Sequence, residues 1–428
     1  MTELAGPPLP SGDGTRPSAP EEEPEGGGVR EVLRNRRFLL LEASGAFASA
    51  GYAVYSVSVL FLAYGITGNL LVAGGVLFLE YGIYTATFLI APLVDRAADK
   101  RTILLVCYPL QAAAAGLLAL GLFERHLTVA ELLGLVAVLA VLWDFVWAVY
   151  MISPRILLPK HQLFVGSSIT NVFSVGTQIG GYAGGGALLF FVGPSGGAVA
   201  YMVLLLAAAL PAIPVSLAVD TPPTSSFRET FWSGWEAFRG RAGRAMRSLA
   251  GLEIAYGFVS SIPVLLIPAI AYERFAAPAA VYGVLVTAYA LGGAAGGVLL
   301  GRLNPRRTVG WVLVAASLTT GVLVLLLDAT PATTVAFGIV LAGVGAGGTI
   351  RFTAKYSWVQ ASYPPDLLGR LISNLYFFTG VSGSLAVLLV GLVSGVLPLS
   401  TLLLLDGAGF VATGVAAIAL PSIRRLAF

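Results

Sequence analysis

An ionisable side chain in the middle of an apolar stretch is the clearest chemical signal in this sequence. Glu80 is such a residue, and Tyr81 and Tyr84 follow it closely enough to donate hydrogen bonds to it. Where the stretch crosses a bilayer, a carboxyl group at that depth is costly and marks a functional site by default. We therefore expect Glu80 to take up and release a proton. The alternative is a satisfied structural pair.

Asp144 is a second residue of this kind, with Trp143 and Trp147 beside it. We expect it, like Glu80, to exchange protons. Arg351 occupies a nearly equivalent place in the second half of the chain. A pair between Asp144 and Arg351 is one expectation, and a pair within each half is the other. Three further charged residues are expected near the membrane surface: Glu42, Glu253 and Lys355.

The composition requires lipid around most of the chain. Of 428 residues, 57% are hydrophobic and 11% are charged, and the mean hydropathy is +0.86. A soluble protein carries about 25% charged residues, so this chain cannot cover a globular surface with polar groups. The single cysteine, Cys107, cannot form an intrachain disulfide.

Twelve apolar stretches are long enough to cross the hydrocarbon core as helices of about 20 residues. They cover approximately residues 38–64, 70–94, 102–122, 129–152, 163–191, 197–219, 247–271, 279–300, 308–327, 332–356, 368–396 and 398–420. Each is expected to be a helix, because backbone groups in lipid must be hydrogen-bonded within the segment. The sequence thus predicts an all-α, multi-pass membrane protein.

The basic residues predict the orientation of these helices. One set of alternate connections holds most of the lysine and arginine, and the other holds only Arg125 and Arg274. Since basic loops stay in the cytoplasm, both termini and the middle loop are expected on the cytoplasmic side. The expected membrane is the plasma membrane. We expect a disordered tail at residues 1–34, a first bundle at 35–219 and a linker with an amphipathic helix at 220–246. A second bundle at 247–421 and a cytoplasmic end at 422–428 follow.

A charged turn at residues 91–101 separates the second and third stretches. Its sequence, APLVDRAADKR, resembles the loop between helices 2 and 3 of the major facilitator superfamily, written G-x-L-x-D-R-x-G-R-R. Alanine replaces both glycines, and Asp99 replaces a basic residue. In the family this loop latches onto the start of the eleventh helix when the inner gate closes. The resemblance thus implies a gating role for Asp95, Arg96, Lys100, Arg101, Gly369 and Arg370.

The fifth stretch contains a glycine pattern that resembles the antiporter signature g-x-x-x-G-P-x-x-G-G, with glycine in place of the proline. The implied helix-packing residues are Gly176, Gly180, Gly181, Gly184 and Gly185. Small residues let helices approach closely, and the glycines of the eighth stretch offer a matching surface at Gly292, Gly293, Gly296 and Gly297. In the family this signature is typical of exporters; the alternative is plain packing.

The resemblance covers residues 35–425 and implies two pseudo-symmetric six-helix bundles around a central cavity. The expected cavity residues are mostly aromatic and include a single charged side chain. They are Tyr52, Tyr55, Tyr84, Trp147, Asn171, Gln178, Tyr256 and Arg351. Aromatic walls with few fixed charges suit a bulky amphipathic or aromatic solute. At least half of these aromatic residues are also explained by packing.

The predicted function is proton-coupled export of a small amphipathic organic compound by alternating access, closest to the multidrug and siderophore exporter branch. The alternatives are a proton symporter or uniporter that imports a nutrient, and a lipid or lysolipid flippase. The sequence shows no nucleophile with a base, no metal-ligand spacing and no phosphate-binding loop, so we expect neither an enzyme nor a cofactor. The expected partners are a small-molecule substrate, protons and membrane lipids, with no nucleic acid, and the protein is expected to be a monomer.

Overall fold

The computed structural model describes residues 29–85, 90, 93–94, 96–218, 243–303, 308–363 and 365–426. The regular structure of these residues is helical, apart from an isolated bridge between Asp99 and Ala218. The first 28 residues and most of the predicted linker, with its amphipathic helix, lie outside the described part. Within the predicted tail, Val29–Val32 form one short helical turn and Val32 is buried.

The predicted order of helices is confirmed. In the described part of the chain they are α1 (Arg36–Thr67), α2 (Leu70–Thr85), α3 (Arg101–Phe123), α4 (Val129–Leu157), α5 (Leu163–Phe191), α6 (Pro194–Ala212), α7 (Gly243–Ser260 and Ile262–Arg274), α8 (Pro278–Leu303), α9 (Val309–Ala329), α10 (Thr334–Ser362), α11 (Pro365–Val393) and α12 (Leu399–Ala419). Among the described residues, ten helices are long and apolar enough to span a membrane. The described part of α2 is shorter, and α5 is rich in glycine, serine and threonine.

Local signals explain where several helices begin and end. The Asn35 side chain accepts a hydrogen bond from the third residue of α1, and its amide donates to the carbonyl of Leu157 at the end of α4. Thr128 and Glu131 form a capping box at the start of α4. These side chains satisfy backbone N–H groups that have no partner within the helix. Gly68 ends α1 in the left-handed conformation that favours glycine.

The two groups of six helices pack in the same pattern. In the first group α1 packs on α5 and α6, α3 packs on α4 and α6, and α2 packs on α4. In the second group α7 packs on α11 and α12, α9 packs on α10 and α12, and α8 packs on α10. Each pair therefore recurs six helices later, as in a transporter built from a parallel repeat.

Two helix pairs, α2 with α11 and α5 with α8, join the two bundles. Glycines permit the closest approach. A methyl group on Gly186 of α5 would collide with Gly283 of α8, and the reverse is also true. Gly74 of α2 leaves the same kind of space for Val387 and Gly391 of α11. These contacts lie toward the end of the molecule where α1 ends and α2 begins, here called the far end; the opposite end, where α1 begins and α12 ends, is the near end.

Polar and aromatic contacts also join the bundles at the far end. The Tyr64 hydroxyl donates to Glu273 Oε1 at 3.1 Å, and the Ser394 hydroxyl donates to Asn69 Oδ1 at 2.9 Å. The ring of Phe61 stacks on another aromatic ring of α7 with 4.6 Å between centroids. The far end is therefore closed by direct contact between the halves.

The expected packing of the glycine stripe on α8 is wrong. Side chains added at Gly176, Gly180 or Gly184 would meet no described atom within 4 Å. Gly181 and Gly185, on a different face of α5, pack closely against α1. The four glycines of α8 that were expected to face α5 approach α10 instead: Gly292, Gly293, Gly296 and Gly297. Spacing identifies a smooth face of a helix but not the neighbour that it meets.

This geometry predicts opposite effects for two glycines of the same helix. Gly186→Ala should lower the thermal stability of the purified protein, because overpacking typically costs about 1–3 kcal/mol. Gly184→Ala should leave stability unchanged or raise it, since alanine is favoured over glycine in a helix by about 0.5–1 kcal/mol. Melting of the detergent-solubilised variants checks both. A Gly186→Ala protein as stable as wild type would contradict the close contact between α5 and α8.

Candidate functional site

Glu80 lies in α2, about 15 Å along the helix from Leu70 at 1.5 Å per residue. The side chain is 8% exposed. Its Oε1 atom is buried and has no hydrogen-bond partner among the described residues. The hydrogen bond expected from Tyr81 or Tyr84 is therefore not made to this atom. A polar atom that is buried without a partner lowers the stability of the protein. Its presence here therefore supports a functional role for Glu80.

Tyrosines from both halves surround this carboxyl group. Those within electrostatic range are Tyr52, Tyr55, Tyr81, Tyr182, Tyr201 and Tyr282. Tyr282 belongs to α8, so it approaches Glu80 from the second bundle. Glu80 therefore lies near the junction of the two halves, where a change in their relative position would change its surroundings.

Aromatic stacking holds the expected cavity residues of α1 in place. The Tyr52 ring lies parallel to that of Trp143 in α4, with 4.6 Å between centroids. The Tyr55 ring stacks on Tyr201 of α6 at 4.9 Å. The Tyr55 hydroxyl is buried and has no partner among the described residues. Tyr55 thus joins Glu80 as a buried polar group without a partner in the first bundle.

A hollow lies between α1, α4 and α5, in the part of the first bundle that is nearer the near end. Its lining combines aromatic, small polar and acidic side chains: Glu42, Ser49, Trp143, Trp147, Tyr150, Thr170, Phe173 and Ser174. Glu42 Oε1 accepts a hydrogen bond of 2.6 Å from the Thr170 hydroxyl. Glu42 is only 6% exposed, so its carboxyl group lies inside the bundle; its expected depth near the membrane surface stays a prediction.

Two of the expected functional residues lie close to this hollow in α4. Trp147 lines it directly. Asp144 is 1% exposed and interacts electrostatically with Tyr84 of α2. Asp144 is thus buried, but in contrast to Glu80 it already has an interaction partner.

The second bundle contains a fully buried group of three charges. Glu253 of α7 forms ion pairs with Arg351 at 2.6 Å and Lys355 at 2.5 Å, both from α10. The pair within one half is therefore the correct alternative for Arg351. The expected surface position of Glu253 and Lys355 is wrong: they are 0% and 3% exposed. Because α7 begins at Gly243 and α10 continues to Ser362, both residues lie deeper in their helices than the apolar stretches indicate.

Aromatic rings cover the two cations of this group. The Arg351 guanidinium lies 3.6 Å above the centre of the Tyr256 ring, and Lys355 Nζ lies 4.3 Å from that of Tyr356. Such cation–π contacts offset part of the desolvation of a buried cation. The Tyr356 ring stacks on Tyr376 of α11 at 5.1 Å, and Tyr376 meets Tyr84 of α2 edge-on at 6.1 Å. A row of rings therefore connects the charge group to the first bundle.

The residues of the expected latch are only partly described. Asp95 and the side chain of Arg370 lie outside the described part, and Gly369 is within α11. Arg96 is exposed, whereas Lys100 is 3% exposed with its ammonium 3.4 Å from the carbonyl of Ala97. The latch therefore stays a prediction.

The charged turn is tied to the segment that follows α6. The Asp99 carboxylate accepts a hydrogen bond from the Leu217 N–H at 3.0 Å and pairs with Arg101 at 3.2 Å. Arg101 also donates to the carbonyl of Ile213 at 3.0 Å. Asp99, which differs from the family pattern, thus anchors this turn within the first bundle.

The two polar cavity residues expected from α5 have different outcomes. The side chain of Asn171 lies outside the described part of the chain. Gln178 is half-buried, and its amide nitrogen lies 3.5 Å from the hydroxyl of Ser174, one turn earlier. Ser174 lines the hollow, so Gln178 adjoins that site.

Comparisons with known proteins agree with this architecture. The major facilitator family model described as transmembrane secretion effector matches residues 86–426. No curated protein sequence matches the chain significantly. A mutant of the nucleoside transporter NupG superimposes with a TM-score of 0.74 at 12% identity, over 90% of this chain and 99% of that chain.

A POT family transporter in complex with a thioalcohol-conjugated peptide superimposes with a TM-score of 0.69 at 11% identity, over 89% of this chain and 95% of that chain. At such identities these structures show the fold alone. The family model extends from the end of α2 to the end of the second bundle. The chain is a transporter of the major facilitator superfamily and belongs to its transmembrane secretion effector family.

Proposed function

We propose that the protein is a proton-coupled exporter of small amphipathic organic compounds that works by alternating access. The observation that carries this proposal is Glu80, a buried carboxyl group with an unpartnered oxygen beside the junction of the two bundles. Protons are the ligand that such a group binds best, because protonation removes the charge that the surroundings do not compensate. A conformation that admits water to Glu80 would release this proton.

The hollow of the first bundle is the proposed site for the organic compound. Aromatic side chains with a few convergent polar groups are typical of small-molecule sites. The carboxyl group of Glu42 and the rings of Trp147 and Tyr150 favour a solute that is both aromatic and cationic, since a cation is attracted by the carboxylate and by the faces of the rings. We therefore propose a lipophilic cation as the preferred solute.

The proposed direction depends on the orientation of the chain. The basic connections favour a cytoplasmic location for the near end. The contacts at the far end then close the extracellular side, and the hollow lies toward the cytoplasm, where an exporter loads its solute. The description of the matching family as a secretion effector also supports export.

Replacement of Glu80 by glutamine should abolish proton-driven transport while the protein remains folded. In inverted vesicles with an acidified lumen, wild type should accumulate ethidium, a cationic aromatic dye. Glu80→Gln should reduce this accumulation to the level that is measured without a pH gradient, because glutamine cannot exchange a proton. Glu124→Gln changes an exposed carboxylate beyond the end of α3 and serves as the matched control.

Two outcomes would contradict this account. Full gradient-driven accumulation by Glu80→Gln would show that Glu80 is not the coupling group. Dye expulsion from the acidified vesicles by wild type, in place of accumulation, would indicate a symporter that imports its solute.

The hollow should distinguish two probes of the same shape and opposite charge. Tetraphenylphosphonium should quench the fluorescence of Trp143 and Trp147, whereas tetraphenylborate should not. Trp147→Ala should weaken binding of the cation by about 1–2 kcal/mol, which corresponds to roughly 5- to 30-fold in Kd. Glu42→Gln should weaken binding of the cation by more than Trp147→Ala does.

Phe191→Ala removes an exposed ring at the end of α5 and should leave the affinity unchanged. Equal binding of the phosphonium and the borate, or an unchanged Kd in Glu42→Gln, would contradict the proposed cation site.

A further inference from the structure

Asp406 is a second buried carboxyl group that the mechanism above does not use. It lies in α12 and is 2% exposed. Both of its carboxyl oxygens are buried, and neither has a hydrogen-bond partner among the described residues. Buried carboxyl groups are normally paired or hydrogen-bonded. Asp406 therefore requires an explanation of its own.

The described charged groups of the helices around α12 are paired with one another or lie at the two ends of the molecule. On α9, which packs along α12, the described ionisable residue is Asp328, and it pairs with Arg274 of α7 at the far end. Glu273 of α7 accepts the hydrogen bond from Tyr64, also at the far end. The short helix after α12 contributes Arg424, which is exposed at the near end. These elements thus bring no cation to Asp406.

The polar neighbours that do face Asp406 are tyrosines. Tyr256 of α7 and Tyr289 of α8 lie within electrostatic range of its carboxyl group. The Tyr256 ring meets Phe410, one turn after Asp406, edge-on at 5.6 Å. The other charges near Tyr256 belong to Glu253, Arg351 and Lys355, and both of these cations form ion pairs with Glu253.

The protonated form is the one that these surroundings accommodate. An isolated carboxylate is far more costly to bury than a carboxylic acid. In water at pH 7 an aspartate prefers the ionised form over the protonated form by only about a thousandfold. With neither a cation nor a hydrogen-bond donor supplied by the described residues, the cost of burying the charge exceeds this preference.

Tyr289 also connects this carboxyl group with the space between the bundles. It lies within electrostatic range of Tyr81 and Tyr182 in the first bundle, and both of these tyrosines are in turn near Glu80. Hydroxyl groups both donate and accept hydrogen bonds, so a row of them can pass a proton once water enters.

We propose that Asp406 is a proton-binding site of the second bundle, separate from Glu80, and that it holds its proton in this conformation. Tyr256 and Tyr289 are the groups through which this proton exchanges. The protein would then have one proton-binding carboxyl group in each half. This proposal does not depend on the role of Glu80 and survives if Glu80 proves not to couple transport.

Infrared spectroscopy of the purified protein in lipid nanodiscs at pH 7 tests this directly. Aspartate labelled with carbon-13 at the side-chain carboxyl should show a carboxylic-acid C=O band that shifts in heavy water. Asp406→Asn should remove this band, and Glu80→Gln should leave it. Asp328→Asn, which removes an aspartate that is paired with arginine, is the matched control and should remove only carboxylate signal.

If Asp406→Asn removes carboxylate signal and no carboxylic-acid signal, the proposal is wrong. If that variant does not fold, Asp406→Glu replaces it: the aspartate acid band must disappear and a glutamic-acid band must appear. Glutamic acid carries no label and absorbs in the spectral region of unlabelled carboxylic acids. If this region is unchanged in Asp406→Glu, the assignment is equally wrong.

Discussion

Lipid offers no hydrogen bonds to a buried side chain, and this constraint separates the structural acids of this protein from those with the potential to carry protons. Glu253 forms ion pairs with both Arg351 and Lys355, so removing Glu253 would leave two buried cations without a counter-charge. Glu80 and Asp406 have no comparable partner among the described residues. The same burial therefore stabilises an ion group in one place and favours a bound proton in the other two.

The junction of the two bundles makes such protons useful to a transporter. The helix pairs of the first bundle recur in the second, and toward the far end buried apolar residues of both bundles pack into one cluster. The contacts between the bundles at the far end depend on small residues such as Gly186 and Gly283 and on few polar bonds, of which Tyr64 with Glu273 is one. A contact of this kind separates at little electrostatic cost, and separation would bring water to the carboxyl groups beside it.

The sequence predicts the helices well and the side-chain neighbourhoods poorly, for physical reasons. Length and hydropathy determine a membrane span, and they identify the fold without knowledge of packing. The depth of a side chain depends on where the helix ends, and Glu253 and Lys355 were misplaced because α7 and α10 extend beyond their apolar stretches. Likewise, glycine spacing reveals a smooth face, but only the structure shows that Gly181 meets α1 and Gly186 meets α8.

Exchange of the solute against the proton of Glu80 is the coupling step of the proposed antiport, and proton release on solute binding tests it most directly. Detergent-solubilised protein in weakly buffered solution would be mixed with tetraphenylphosphonium, and a pH-sensitive dye would report released protons. The account predicts release by wild type and none by Glu80→Gln, although both bind the cation. Binding of the cation to wild type without release of a proton would contradict the account.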